Sequence, residues 1–408
     1  MDATSTAFPL EQMPRTVPCR EIDHGDASLT QLADDGPLSS ARRESDPAIY
    51  GRAIENFIGT VKVPVGLAGP LRVHGEFADG LYQLPLATTE ATLVASYNRG
   101  AEAINAAGGC RTALLAEAIS RVPGFAFADL GEATLFASWA AAHVSDIRRI
   151  AEATSAHGKL VDLETTVEGN HVFLHLDFTT GDAAGQNMVT IAAKAVCSYI
   201  RDTAPVRPRR VMVESNASGD KKASARSFIS VRGKRVSAEV VLPAEIVRRR
   251  LGVTPESLAD GWRMGALGAV LTGTIGIQGH FANGLAALYI ACGQDAACVA
   301  ESAVGVTRFE LAPDGGLYAA VTLPNIVVGT VGGGSRLPSQ RTCLDLMGLA
   351  GPGSARALAE ICAGLCLAGE LSLGAAMCAG VFTRAHQVFG RHRARRGTVV
   401  SGHPGEGR

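Results

Sequence analysis

Three isolated charged groups in this chain form a set able to polarise a carbonyl and move protons. Glu90 is the lone carboxylate of an otherwise apolar, helix-like stretch, residues 85–100. A carboxylate there must be neutralised, paired or at work, because an isolated buried charge is strongly unfavourable. Lys221 and Lys222 follow Asp220 in a segment of small residues, Ser215-Asn216-Ala217-Ser218-Gly219. Such neighbours cannot bury a lysine stem and suit a loop that touches a substrate. Asp295 ends the run that begins at Tyr289. A lysine near two carboxylates keeps its proton, while repulsion between the carboxylates raises the pKa of one of them. An oxyanion stabiliser and a neutral acid would then share one site. His386, at the end of the last helical stretch, suits protonation of a leaving group with a neutral-to-mildly-basic pKa, such as a thiolate.

Other candidate chemistry is weaker. No GxGxxG follows a strand, so the usual dinucleotide fingerprint is missing. Two other segments could cradle phosphate or let backbone approach a cofactor: Thr180 to Asn187, which opens a helix, and Gly329 to Ser335. His171 and His175 are four apart, but the alternation around them reads as strand. That places His171, Phe173, His175 and Asp177 on a half-exposed polar face and Val172, Leu174, Leu176 and Phe178 on the other. No metal site is expected.

The bulk numbers set limits. A chain of 408 residues has material for two or three domains and a sizeable core. With 47% hydrophobic residues and a net charge of −1, neither disorder nor nucleic-acid binding is indicated. Aromatics at 5% beside 47 glycines favour closely packed helices over a stacking platform. Nine cysteines form no CxxC pair, and Cys362 and Cys366 read as small core residues; a reducing cytoplasm fits. The N-terminus has no basic region followed by an apolar core, so no signal peptide is expected. Residues 264–294 carry no Asp, Glu, Lys or Arg, long enough to cross a bilayer. Gln278, His280, Asn283 and the glycines favour a buried central helix instead, and no membrane association is expected.

These residues need positioning elements. Residues 1–48 read as a loose arm, with β-type runs over 61–86 and a helix from about Thr88 to Ala107 capped by Gly108-Gly109. The middle region reads strand (Phe125 to Ala128), helix (Leu130 to Ala156), strand (Lys159 to Val167), strand (His171 to Phe178), helix (Asp182 to Ile200), strand (Arg210 to Glu214). That is the ferredoxin-like split arrangement. Beyond Lys222, strands over 223–231 and 235–242 precede helices through 390.

The blocks Glu55 to Gly59, Val63 to Leu71, Pro85 to Gly100, Gly181 to Asn187, Asp220-Lys221-Lys222, Tyr289 to Asp295, Ile326 to Gly334 and Ala368 to Leu373 resemble one family in order. It is hydroxymethylglutaryl-coenzyme A (HMG-CoA) reductase, of the type shared by eukaryotes, archaea and some bacteria (class I). The resemblance implies reduction of HMG-CoA to mevalonate and CoA with two NADPH, NADH being the alternative cofactor, in isoprenoid synthesis. It implies an α+β fold: a large domain around a central buried helix (residues 59–122 and 214–388), with an inserted ferredoxin-like βαββαβ cofactor domain (123–213). Residues 1–58 would be an N-terminal arm and 389–408 a basic tail. The partners implied are HMG-CoA and a second copy of the chain, with active sites at the interface of a homodimer or a larger tetramer.

Carried over by motif, Lys221 would stabilise the oxyanion, Glu90 donate a proton, Asp295 tie the two together, and His386 protonate the CoA thiolate. Arg121, Ser215, Asn216, Lys222, His280 and Asn283 match the acyl-group side, and Ser96, Asn98 and Arg99 the CoA side. Asp182, Gly185, Gln186 and Asn187, with Gly332, Gly333 and Gly334, match the cofactor side. The chain departs from the pattern in several places. Glu214-Ser215-Asn216 stands where Ser-Gly-Asn is common, and Met264, beside Arg263, where a substrate-gripping lysine is usual. The Gly276 to His280 stretch is one residue short, Ala156, beside His157, aligns with an arginine for the 2′-phosphate, and His392 aligns with a regulatory serine. The alternatives are a paralogue reducing another acyl-CoA, a catalytically silent binding protein, and a thiol-dependent acylating dehydrogenase using Cys110.

Overall fold

The computed structural model describes Leu38 and residues 47–380. His386 and the tail from Arg391 lie outside the described residues. Residues 47–408 form one compact unit, and every element below belongs to it.

Strands β1 (Val65–His74) and β2 (Asp79–Ala87) make an antiparallel hairpin. Helix α1 (Leu93–Ala106) follows, and the N–H groups of Gly108 and Gly109 return to Asn105 and Ile104 carbonyls at 2.9 Å. Both glycines have positive φ, 96° and 112°, so the expected glycine cap is present.

The strand β3 (Cys110–Arg121), overlooked in the sequence, links two parts of one sheet. Its residues Arg111–Ala118 pair with β8 (Gly233–Leu242), and Ile119–Arg121 pair with β6 (His171–Thr179). Around β6 the antiparallel order is β7-β4-β6-β5, from β4 (Gly124–Ala126), β5 (Lys159–Glu168) and β7 (Arg210–Met212). Helices α2 (Leu130–Ala142) and α3 (Val144–Glu152) separate β4 from β5, and α4 (Gln186–Thr203) separates β6 from β7. The single helix expected over 130–156 is broken at His143. Its ring stacks on Trp139 at 4.5 Å and bonds the Trp139 carbonyl at 2.8 Å, with the backbone outside helical geometry.

The alternation in β6 holds, with Val172, Leu174, Leu176 and Phe178 buried, but His175 is buried too and meets Thr166 Oγ1 at 3.1 Å. Other expectations fail. Residues 223–231 form no strand; a 3-10 turn, Ala225–Phe228, is capped by Ser224. The uncharged run 264–294 is two helices, α5 (Pro255–Thr272) and α6 (Phe281–Ala291), separated by a loop. The end of α5 is exposed, with Met264, Leu267, Val270 and Leu271 at 67–86% of full exposure. After the short α7 (Val299–Ser302) come β9 (Val306–Leu311) and β10 (Leu317–Ile326), where only helices were expected. β10 pairs with both β8 and β9, so its burial in the sheet masks alternation.

After α8 (Pro338–Leu346), the central helix is α9 (Ala355–Cys378), buried along nearly all of residues 355–372. It is the one helix among the described residues long and apolar enough to cross a membrane, and most of it lies inside the fold. Small residues let it approach α1: a Cβ on Gly100 would sit 1.9 Å from the Ala368 carbonyl oxygen. Tyr97 fills the space that Gly284 and Gly369 leave open, and its hydroxyl donates to the His280 carbonyl at 2.8 Å. One aromatic ring thus gathers α1, α6 and α9, the helices that carry or brace Glu90 and Asn283.

Candidate active site

Lys221 lies in the loop between β7 and β8 with φ 56°, and its Nζ is 2.8 Å from Asp295 Oδ2. The hydrogen bond from the ammonium to Asp295 raises the Lys221 pKa, so the amine stays protonated. For Asp295, burial pushes the carboxyl pKa up, but hydrogen bonds from Lys221, the Ala297 N–H and Gln186 outweigh it and the net shift is downward. Asp295 also caps the 3-10 turn Ala296–Cys298, accepting from Ala297 N at 3.0 Å. The sequence places an ammonium and a carboxylate here, and the fold pairs them.

Glu90 stands elsewhere, at the exposed entry to α1. Its Oε2 accepts from Asn283 Nδ2 at 3.0 Å, and its N–H donates to Thr88 Oγ1 at 3.0 Å. Glu90 and Asn283 line an open cavity of about 520 Å³ with Val63, Leu93, Ala286 and Ile290. His280 stacks on Tyr97 at 5.0 Å; burial lowers its pKa and the Glu90 charge acts against that. Glu370, buried in α9, fixes the approach to α6. It accepts from Gly279 N at 3.0 Å, His280 N at 2.5 Å and Thr307 Oγ1 at 2.6 Å. Among the described residues no hydrogen bond or ion pair joins Glu90 to Lys221 or Asp295.

A buried charge network backs the lysine loop. Arg121 Nη1 donates to both Glu214 and Asp220 at 3.1 Å, and Arg232 Nη2 reaches the other Asp220 oxygen at 2.6 Å. Arg232 Nη1 lies 3.2 Å from Glu301, which is wholly buried. Ser215 bonds the Val122 carbonyl at 2.7 Å, while Asn216 (φ 68°) and Lys222 are exposed, Lys222 donating to the Asp220 carbonyl at 2.8 Å. Sequence reasoning missed Arg232, Glu301 and Glu370. Glu301 is the lone charge between Asp295 and Arg308, and Glu370 between Glu360 and Arg384. The criterion that selected Glu90 would have found both.

The residues matched to the cofactor divide into two groups. Asp182 is engaged within the fold, its carboxylate accepting from Gly353 N at 2.7 Å and Ala355 N at 3.1 Å at the start of α9. Gln186 turns its amide to Asp295 (3.4 Å) and the Cys298 sulfur (3.0 Å). Gly334 packs on the Gly293 carbonyl at 2.6 Å. The open elements are the start of α4, where Gly185 (φ 84°) offers no side-chain cap and Asn187 is exposed, and Gly332 and Gly333. The last two have φ 78° and 50°, with nothing within 4 Å of where a Cβ would stand. Free helix N–H groups and bare backbone fit a pyrophosphate.

The CoA-side residues are tied to the fold. Ser96 Oγ meets Ser372 Oγ at 2.9 Å, Arg99 Nη2 donates to the Ser372 carbonyl at 2.5 Å, and Asn98 accepts from Gly69 N at 3.1 Å. Cys110 is buried, and burial pushes its thiol up to about 12. That is a poor nucleophile.

The family described as hydroxymethylglutaryl-coenzyme A reductase matches residues 27–391. A 3-hydroxy-3-methylglutaryl-coenzyme A reductase of Pyrococcus horikoshii is 43% identical over 350 residues, covering 84% of each chain. One from Aeropyrum pernix is 45% identical over 349 residues, covering 84% of this chain and 83% of the other. Among solved structures, the class II reductase of Streptococcus pneumoniae bound to NADPH in open conformations superposes with a TM-score of 0.67 at 20% identity. That match covers 85% of this chain and 92% of the other. These likenesses place the chain among the oxidoreductases. It belongs to the hydroxymethylglutaryl-coenzyme A reductase family.

Proposed function

We propose that this chain reduces 3-hydroxy-3-methylglutaryl-CoA to mevalonate and CoA, consuming two NADPH, as a class I reductase of the cytoplasm. The observation that carries the reading is the Lys221–Asp295 pair at 2.8 Å, a fixed ammonium within an archaeal-type reductase sequence. Bound NADPH supplies a hydride in each of two steps. Residues 123–213 serve as its domain, through the start of α4 and Gly332-Gly333. Residues 59–122 and 214–388 hold the thioester.

Lys221 faces the oxygen that gains charge when the thioester carbonyl is reduced, and again when the aldehyde is reduced. An ammonium already fixed by Asp295 needs no reorganisation as that charge develops. His386, outside the described residues, protonates the CoA thiolate released between the two steps. Glu90 donates the proton that completes the alcohol.

Glu90 and Lys221 meet in a homodimer, one copy supplying Glu90 with Asn283 and the other Lys221 with Asp295. Two observations support this. The two clusters are unconnected within the described residues of one chain. The end of α5 also exposes Met264, Leu267, Val270 and Leu271 together, an apolar stripe suited to a second copy.

The test is oxidation of NADPH with HMG-CoA, with released CoA counted. Two NADPH per CoA are expected; a folded protein that oxidises none refutes the reading. One observation favours a second reading, reduction of a different acyl-CoA: Arg121 is already shared by Glu214 and Asp220 at 3.1 Å. Faster turnover of another acyl-CoA in a substrate panel would select it.

A further inference from the structure

Glu301 has no role in the mechanism above, yet its buried carboxylate touches both halves of the Lys221–Asp295 pair. It lies on α7, six residues beyond Asp295. It accepts a hydrogen bond from the backbone N–H of Lys221 and meets the Cys298 thiol, which belongs to the turn that Asp295 caps. Arg232 faces it at 3.2 Å and reaches Asp220 with its other nitrogen at 2.6 Å.

Lys221 needs such a hold. Its φ of 56° is left-handed, a conformation that a side chain with a Cβ keeps only when its surroundings impose it. Asp220 is pinned on one oxygen by Arg121 and on the other by Arg232. The next peptide N–H, that of Lys221, is received by Glu301. The carboxylate that holds the Lys221 backbone and the one that receives its ammonium therefore sit on the same short segment.

We propose that Glu301 is a positioning residue that holds the Lys221 backbone in the left-handed conformation from which its ammonium reaches Asp295. This rests on the reading of Lys221 as the cation of the reductase site. The hold works through an acceptor oxygen and does not require a negative charge. Burial raises the Glu301 carboxyl to about 7, with Arg232 acting against it and Asp220 with it, and a protonated carboxyl still accepts through its carbonyl oxygen.

Two variants separate position from charge. Glu301→Asp keeps the charge for Arg232 but withdraws the oxygen from the Lys221 N–H; Glu301→Gln keeps the oxygen and removes the charge. The first readout is reductive methylation of Lys221 at mildly alkaline pH without substrate, followed by peptide mass spectrometry with exposed Lys159 as reference. The second is the division of any activity change between kcat and KM. Glu301→Asp is expected to raise Lys221 labelling several-fold and lower kcat about tenfold or more with KM nearly unchanged, while Glu301→Gln stays close to the parent. Labelling of Lys221 that is unchanged in Glu301→Asp, or raised equally in both variants, overturns the proposal. Because labelling needs no turnover, an inactive parent protein whose labelling still follows this pattern would count against the reductase reading alone.

Discussion

Lys221 Nζ stands 2.8 Å from Asp295 Oδ2, and this pair is separate from Glu90, which bonds Asn283 at 3.0 Å. An acid and an oxyanion stabiliser kept apart within one chain can act on one substrate only if a second copy closes the site. That makes the arrangement testable by mixing.

Glu90→Gln and Lys221→Ala homodimers are each expected to be inactive. Mixed with exchange of subunits, they should recover about a quarter of parent activity, because half the dimers are hybrids and each hybrid has one intact site. Turnover measured before and after dissociation and reassociation gives the answer. No recovery, with hybrids demonstrated by differential tagging, would place both residues in one subunit's site.

Asp295→Asn removes the charge that raises the Lys221 pKa but keeps a side chain of the same shape. Turnover should fall by about two to three orders of magnitude, the scale of losing an oriented oxyanion partner. The Lys221 pKa should fall toward the ordinary lysine value, as followed by NMR of the 13C-methylated amine. An unchanged Lys221 pKa would show that Asp295 does not set the protonation of the lysine.

Much of this site was legible because an isolated charge among small or apolar residues is a local signal. Glu90, Lys221 and Asp295 all stood out that way, and the order of elements from β4 to β7 follows from alternation and glycine breaks. What escaped depended on distant partners. β10 is flanked by β8 and β9 and shows no simple alternation. Arg232 finds Asp220 and Glu301 only after the loop folds back. Asp182 fits a ligand loop by motif, yet its carboxylate caps the start of α9, 171 residues away. The uncharged run 264–294 was read as a buried helix because composition alone cannot tell a core face from a face awaiting a second copy.

Gly100→Ala tests the packing that sets Glu90. The new methyl would meet the Ala368 carbonyl, which is backbone within α9 and cannot swing aside. A loss of about 1–3 kcal/mol is expected, as for overpacked cores, measured by urea denaturation. Separation of α1 from α9 should also loosen the Ser96 and Arg99 contacts with Ser372 and raise KM for the thioester. A variant of parental stability would mean that α1 shifts freely along α9.

Glu301 makes a prediction about pH. Burial raises its carboxyl to about 7 in the folded protein, against about 4.3 in an unfolded chain. The folded state therefore holds this proton more tightly than the unfolded state. The stability it contributes is complete below the unfolded pKa and is lost as pH rises through the folded value. Relative to Glu301→Gln, which cannot titrate, the parent should lose stability between about pH 4.5 and 7.5, by at most about 3 kcal/mol. Arg232, 3.2 Å away, lowers that ceiling because it favours the ionised form. Urea midpoints of the two proteins across this range, compared at each pH, isolate the one group. A constant difference would mean that Arg232 overcomes burial and keeps Glu301 ionised throughout, and the Lys221 N–H would then be received by a full carboxylate.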